Sequence, residues 1–570
     1  MLRLEGPPSK RLSRAPQCLN LHSIPDDVMR LVFTFCTQSL FVLLAMQLIN
    51  KRFHNIMRHP TMASHVFMDL QHFPNVRVLG PLAGGLRHVH IGNSHDLSAL
   101  AFMSSLRTLH MPDCSIDADG FCVVANLTKL ECLDISGCRS LTTLSFLSPS
   151  VRFLDVSGCC LKELPDLPNL EQLLAVRCAE LSALPPMPKL LALNVSNSLP
   201  RCQELDFRCF PELQELDITG CECQRLRAGP RLSVLKAGSC DHLVELPDLP
   251  HLLELNVDGC DKLVSFPQLP ALGKLSMVMC SAELNDSMAG VIDLRVHDPT
   301  PADRLYFQNM PALENLRLVE CEFESGDFLI TLNKLTSLSL EFDDWDNFPL
   351  ECLSKLPRLQ VLALVNHVAD VDLSHLENLT ELRSLSVTSD QMSEDGLRSI
   401  GKVYSLEHLS IDNEGFLSFS SAAISFLSDL TRLRHLKLVA CDVQDLHAVA
   451  QLSSLEILHI AANDGLLDLV PLANLERLTK LTIRECDVES LRGLNQIPRL
   501  DLLKVTDCEG LTRQGLSDLV PCRLTRLTLS SDSRNLLEDG WGGFVRELRS
   551  SNLWVDIFIQ ESIESALSGL

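Results

Sequence analysis

The sequence predicts an α/β solenoid of about 21 stacked coils, with a parallel sheet on the concave face and a small helical head at the N-terminus. Three observations predict it. One apolar frame recurs from Leu86 to Leu524, and cysteine fills the same place of that frame in twelve coils. The chain is also 570 residues long, too long for one compact core, and 46% hydrophobic with only 5% aromatic residues. An aliphatic repeat array escapes the size limit on single cores.

The frame is apolar at i, i+3 and i+5, with Cys at i+8. It reads Leu130, Leu133, Ile135, Cys138 in one coil and Leu213, Leu216, Ile218, Cys221 in another. Leu252, Leu255, Val257, Cys260 and Leu433, Leu436, Leu438, Cys441 repeat it. From Leu86 to Leu524 there are 21 such anchors, a mean period near 22. This frame resembles the leucine-rich repeat. Its alternating segment predicts a short strand with i+3 and i+5 inward and i+2, i+4 and i+6 outward. One coil cannot bury its own leucine face, so neighbours must stack. The i+8 column holds Cys114, Cys138, Cys159, Cys178, Cys221, Cys240, Cys260, Cys280, Cys321, Cys441, Cys486 and Cys508. Such a column reads as small buried thiols that satisfy turn backbone. It leaves no disulfide message in the even total of 22 cysteines.

Two dialects of the frame are present. Between about 160 and 290, proline follows the strand, as in Leu164-Pro165 and Leu246-Pro247. Proline disfavours helix, so the convex side is expected to be extended there. From about 313 the connections lengthen and turn leucine-rich, as at Leu472 and Leu475, leaving room for short or 3₁₀ helices. Residues 281–312 and 391–403 read as irregular.

The ends depart from the frame. Residues 1–20 read as a disordered basic tail, 21–70 as a helical segment, 80–532 as the solenoid and 533–570 as a C-terminal cap containing Trp541 and Trp554. Ile24-Pro25 starts a helix with Asp26 and Asp27 at its positive end. Leu31 to Ile49 carries no charge, which passes for a membrane anchor by length. Thr37-Gln38-Ser39 at its middle favours two short helices joined by a turn.

This segment resembles an F-box. Ile24-Pro25 and Val28-Met29 match the family's opening, Val32-Phe33 and Phe35 its aromatic step, and Leu40, Leu43, Leu44 and Leu48 its second helix. Lys51-Arg52-Phe53, Ile56 and Pro60 match the close, and Met62-Ala63 stands where the family often places Trp. The resemblance implies a substrate receptor of a cullin–RING (SCF-type) ubiquitin ligase. It implies docking on a Skp-type adaptor and cullin through Ile24, Pro25, Val28, Met29, Val32, Phe33 and Leu40. A plain helical cap on the solenoid is the alternative for the same residues.

No catalytic motif is present: no Walker-type loop, no H-E-x-x-H, no G-x-S-x-G. The chain therefore reads as a non-enzyme without cofactor or metal. Cys159-Cys160 and Cys221-Glu222-Cys223 lack a matching ligand pair for zinc, and His88 and His90 share a strand face as solvated histidines. The net charge of −24 argues against nucleic acid as a partner. Down the outward positions, early coils give His88, His90 and His110, and middle coils give Asp134, Asp155, Glu215, Asp217, Glu254 and Asp258. Late coils give His408, His435, Lys437, His459, Lys480, Arg484, Lys504 and Arg526. That basic strip is the expected partner-binding face, suited to an acidic or phosphorylated protein segment. Charged outward positions that merely keep the sheet soluble are the alternative. The competing function is a repeat scaffold or regulator without ligase coupling. Neither end of the array shows a cysteine cluster of the extracellular kind, so a cytoplasmic or nuclear, membrane-free location is expected.

Overall fold

The computed structural model describes most residues from 86 to 530, with short interruptions, and the strand segments 67–69 and 556–559. The chain divides into two compact units, 1–232 and 233–570. The adaptor-facing residues inferred from the F-box resemblance, Ile24 to Leu40, and the uncharged stretch 31–49 lie outside the described residues. So does Cys321.

The first unit contains a parallel sheet running Phe67–Asp69, His88–His90, Thr108–His110, Cys132–Asp134, Phe153–Asp155, Gln172–Leu174, Ala192–Asn194 and Glu215–Asp217. Each strand bonds to the next in the frame's own register, Leu133 beside Leu154 beside Leu173. Phe67–Asp69 falls within the segment read as helical, and it is instead a strand that pairs with His88–His90. A second, two-stranded parallel sheet joins Glu204–Asp206 to Arg225–Arg227. These two strands lie between the frame's anchors and were not anticipated.

The second unit is one parallel sheet from Val234–Lys236 to Asp556–Ile559. Its i+3 leucines form an unbroken row from Leu235 to Leu527, none more than 2% exposed. Burying one such side chain contributes roughly 1.5–3 kcal/mol, so the row as a whole is a large stabilising contribution to the unit. The outward residues alternate with it, as in His435, Lys437 and Val439 around Leu436 and Leu438.

The turn after each strand explains the rest of the frame. Position i+7 sits in the left-handed region in coil after coil: Gly137, Gly158, Gly220 and Gly259 near φ +70°, Asp113, Arg177, Asn197, Ser239 and Met279 near φ +55°. Glycine takes this geometry without strain, and the side-chain-bearing residues hold it at a cost. The i+8 thiol then points back into the core and donates to a carbonyl, of the preceding coil in the earlier coils and of its own strand at Cys486 and Cys508. Cys159 Sγ reaches Ile135 O at 3.1 Å, Cys221 Sγ reaches Val195 O at 3.2 Å and Cys260 Sγ reaches Ala237 O at 3.1 Å. Where cysteine is absent, Ser198 donates to Ala175 O and Asn463 to Leu438 O of the preceding coil. Cys280 alone among the described ladder thiols is only half-buried.

The convex side follows the two dialects. Between Asn126 and Asp286 the described residues contain no helix. Later coils carry short 3₁₀ turns such as Leu350–Lys355 and Val470–Asn474. Residues 391–403, read as irregular, contain a regular helix, Glu394–Ile400. Ser393 caps it by accepting from the Gly396 N–H at 3.1 Å, and Glu394 and Asp395 occupy its positive end.

Candidate partner-binding face

The six strands His408–Asp412, His435–Val439, Ile457–Asn463, Lys480–Cys486, Leu502–Thr506 and Arg526–Ser530 carry all eight residues of the expected basic strip. Neighbouring strands lie about 4.8 Å apart, so the strip spans roughly 24 Å across the sheet. Register sorts its members into rows. His408, His435, Ile457, Lys480, Leu502 and Arg526 stand side by side in the i+2 row. Ser410, Lys437, His459, Thr482, Lys504 and Thr528 form the i+4 row. Arg484 stands in the i+6 row beside Ala461 and Thr506. The structure thus brings the eight together on one face.

Sequence reasoning that looked only for charge passed over Ile457, Leu502, Ser410 and Thr482. Their places in the same frame were the available signal. These side chains put apolar and hydroxyl groups between the cations. The face is therefore amphipathic, not simply positive.

The electrostatics are lopsided. Lys437, Lys480, Arg484, Lys504 and Arg526 face one outward acid, Asp412, among the described outward positions of these coils. Lys437 Nζ reaches Asp412 Oδ2 at 3.2 Å. Arg484 turns to the turn acids, 2.6 Å from Glu485 and 3.7 Å from Asp507. Exposed pairs of this kind contribute about 0–1 kcal/mol, so an incoming anion exchanges them at little cost. His408 and His435 make an edge-on ring contact, centroids 4.2 Å apart. Burial and then His408 push the His435 ring below the usual histidine range. Burial, Lys437, Arg484 and Lys504 do the same to His459.

The strip has a defined border. Towards lower numbers the i+2 and i+4 positions become small and uncharged at Ser337, Ser339, Ala363, Ser384 and Ser386, with Val361 exposed among them, while Glu341 holds an i+6 place and pairs with Arg317. At the strand-entry edge, Glu456, Glu476, Arg477, Thr479, Pro498 and Arg499 line a groove of about 580 Å³ with mixed charge.

The acidic middle positions of the first unit serve the coil itself. Asp134, Asp155 and Asp217 each accept from the backbone N–H two residues on, at 3.0, 2.9 and 3.0 Å. These Asx turns close the strands. The carboxylates are part of the coil rather than free recognition groups. His110 Nδ1 lies 3.3 Å from Asp134 Oδ2, and His88 Nδ1 lies 3.0 Å from Thr108 Oγ1. Among the described residues no group of three or more His, Cys, Asp or Glu converges as a metal site. No described helix is long and apolar enough to cross a membrane.

Comparison with known proteins agrees with the architecture. The TLR13–ssRNA13 complex superposes with a TM-score of 0.55 at 20% identity, over 86% of this chain and 83% of that one. The fold is that of the leucine-rich repeat. An internalin, inlF of Listeria monocytogenes, matches 72% of this chain and 84% of its own at 16% identity, with a TM-score of 0.28 that carries no argument. Protein SUPPRESSOR OF npr1-1, CONSTITUTIVE 1 of Arabidopsis thaliana is 34% identical over 115 residues, 19% of this chain. The match spans only 8% of that curated relative's length. No family model matches the chain.

Proposed function

We propose that this chain is a protein-interaction receptor that binds its partner through the outward face of the coils from 406 to 530. The observation that carries the reading is the concentration of five Lys and Arg against one Asp on this face, in a chain of net charge −24. Such local inversion of the overall sign steers an anionic partner to one place and fixes its register. In this reading the chain is a binding protein, not an enzyme, and works in the cytoplasm or nucleus.

The F-box resemblance of residues 21–70 supports a finer proposal: a substrate-recognition subunit of an SCF-type ubiquitin ligase. A Skp-type adaptor would take Ile24, Pro25, Val28, Met29, Val32, Phe33 and Leu40, and the repeat face would take the protein substrate. The competing proposal is a leucine-rich repeat scaffold or regulator without ligase coupling, for which the repeat fold is support enough. Affinity purification of the full chain separates them. A ligase receptor co-purifies an adaptor and a cullin, and loses both with Val28→Glu and Phe33→Glu. A scaffold yields a partner and neither ligase component. The TLR13–ssRNA13 likeness raises RNA as another ligand, but the outward rows from 406 to 530 hold no Phe, Tyr or Trp for base stacking.

A further inference from the structure

The basic face carries two histidines whose rings are hemmed in by other cations, an arrangement that neither solubility nor simple charge attraction requires. His459 stands in the i+4 row next to Lys437 on one side and Thr482 on the other, with Lys504 beyond. Arg484 approaches it from the i+6 row, and Asp412 is the one acid acting on it in the opposite sense. His435 stands against His408 at 4.2 Å, with Glu456 opposing the repulsion from Lys480 and Arg434. Ile457 and Leu502 separate the charges along the i+2 row.

We propose that this face captures an extended acidic protein segment, and that the His408–His435 pair and His459 make the capture proton-coupled. The inference rests on the receptor reading above and deepens it. The carboxylates of such a segment meet Lys437, Lys480, Lys504 and Arg526, which are exposed on this face. Its apolar side chains meet Ile457 and Leu502. Lys437 and Arg484 release Asp412, Glu485 and Asp507 to receive it.

The proton coupling follows from the geometry. In the free protein, burial and neighbouring cations hold His435 and His459 in the neutral form below the usual histidine range. A carboxylate laid across the face favours the imidazolium and raises both values, so the complex takes up protons as it forms. By linkage, affinity then rises as pH falls between the bound and the free values. Nucleic acid is the less favoured occupant, because the rows hold no Phe, Tyr or Trp on which successive bases stack.

The test uses the full chain and a fluorescein-labelled oligoglutamate read by anisotropy. Saturable binding is expected, about fivefold or more tighter near pH 6 than near pH 8. The combined Lys437→Glu, Lys480→Glu and Lys504→Glu variant loses binding at both, and the milder Lys→Gln set at the same positions weakens it. Lys236→Glu, outside the face, leaves it unchanged. In His435→Asn with His459→Asn the ratio of the two affinities collapses to about one, whatever their absolute size. Absence of saturable binding overturns the acidic-segment assignment, as does an oligouridylate bound as tightly as the peptide. Binding that is equal at the two pH values, or a pH ratio that survives the histidine variant, overturns the proton coupling and leaves the receptor reading standing.

Discussion

His408 and His435 stand on adjacent strands with their rings edge to face, centroids 4.2 Å apart. The contact makes the two imidazoles share one patch of the sheet. Burial first, and His408 second, lower His435 below the ordinary histidine value near 6.5. A histidine with a lowered folded value is bound by more protons in the unfolded chain. Its contribution to stability is present above the unfolded value and is lost as pH falls through the folded one. An NMR titration of ring carbons is expected to place His435 below free histidine and to move it upward in His408→Asn. A value at or above free histidine in the wild type would refute the lowering.

Asn463 is the most consequential polar side chain of the second unit. Fully buried, it accepts from the Cys441 and Val443 N–H groups at 3.0 Å each and donates to Ala461 O at 2.6 Å. Asn463→Ala leaves two buried donors without a partner. The expected cost is about 3 kcal/mol, read by urea unfolding, against under about 0.5 kcal/mol for an exposed control such as Thr431→Ala.

The cysteine column is expected to behave as structure. Burial, above all, raises Cys159, Cys260, Cys441 and Cys486 to about 12 each. At neutral pH they are thiols that donate to carbonyls, not thiolate nucleophiles. An alkylating reagent at pH 8 is expected to modify these four only after denaturation, as mass spectrometry of digests would show. Cys260→Ala is expected to cost about 1–2 kcal/mol through its lost bond to Ala237 O and the small void.

Position i+7 predicts opposite signs for opposite substitutions. Gly259 has φ +76°, and a Cβ there would sit 3.3 Å from Ser239 Cα, so Gly259→Ala is expected to destabilise by about 1 kcal/mol. Met279 holds the same place at φ +53° with its side chain exposed, so Met279→Gly is expected to be neutral or stabilising by up to about 1 kcal/mol. Thermal unfolding of the pair would check both signs.

The leucine frame and the inward turn of its i+3 and i+5 residues were legible because a period near 22 imposes the same burial at the same offset. The shift from proline-rich to leucine-rich connections likewise foretold where 3₁₀ turns appear. What escaped sequence reasoning depended on angles and neighbours rather than on residue type. The left-handed i+7 turn was written in Gly137, Gly158 and Gly220, yet Arg177 and Met279 obscure it as a rule. The Asx-turn bonds of Asp134 and Asp155 are invisible without the backbone. The helix Glu394–Ile400 has an orthodox start in Ser393, Glu394 and Asp395, hidden by its break with the repeat. On the candidate face, the five Lys and Arg and the three His were legible as outward positions. Their grouping with Ile457, Leu502 and Thr482 needed the strand register.

The central claim is that the coils from 406 to 530 hold the partner, and one measurement addresses it most directly. The full chain and its Lys437→Glu, Lys480→Glu, Lys504→Glu variant are purified side by side from the same cells, with quantitative mass spectrometry of what accompanies each. These lysines are exposed, so both chains are expected to unfold at the same temperature. The account predicts at least one protein partner on the wild type that falls about tenfold or more on the variant. Equal recovery of every partner from two equally folded chains would contradict it.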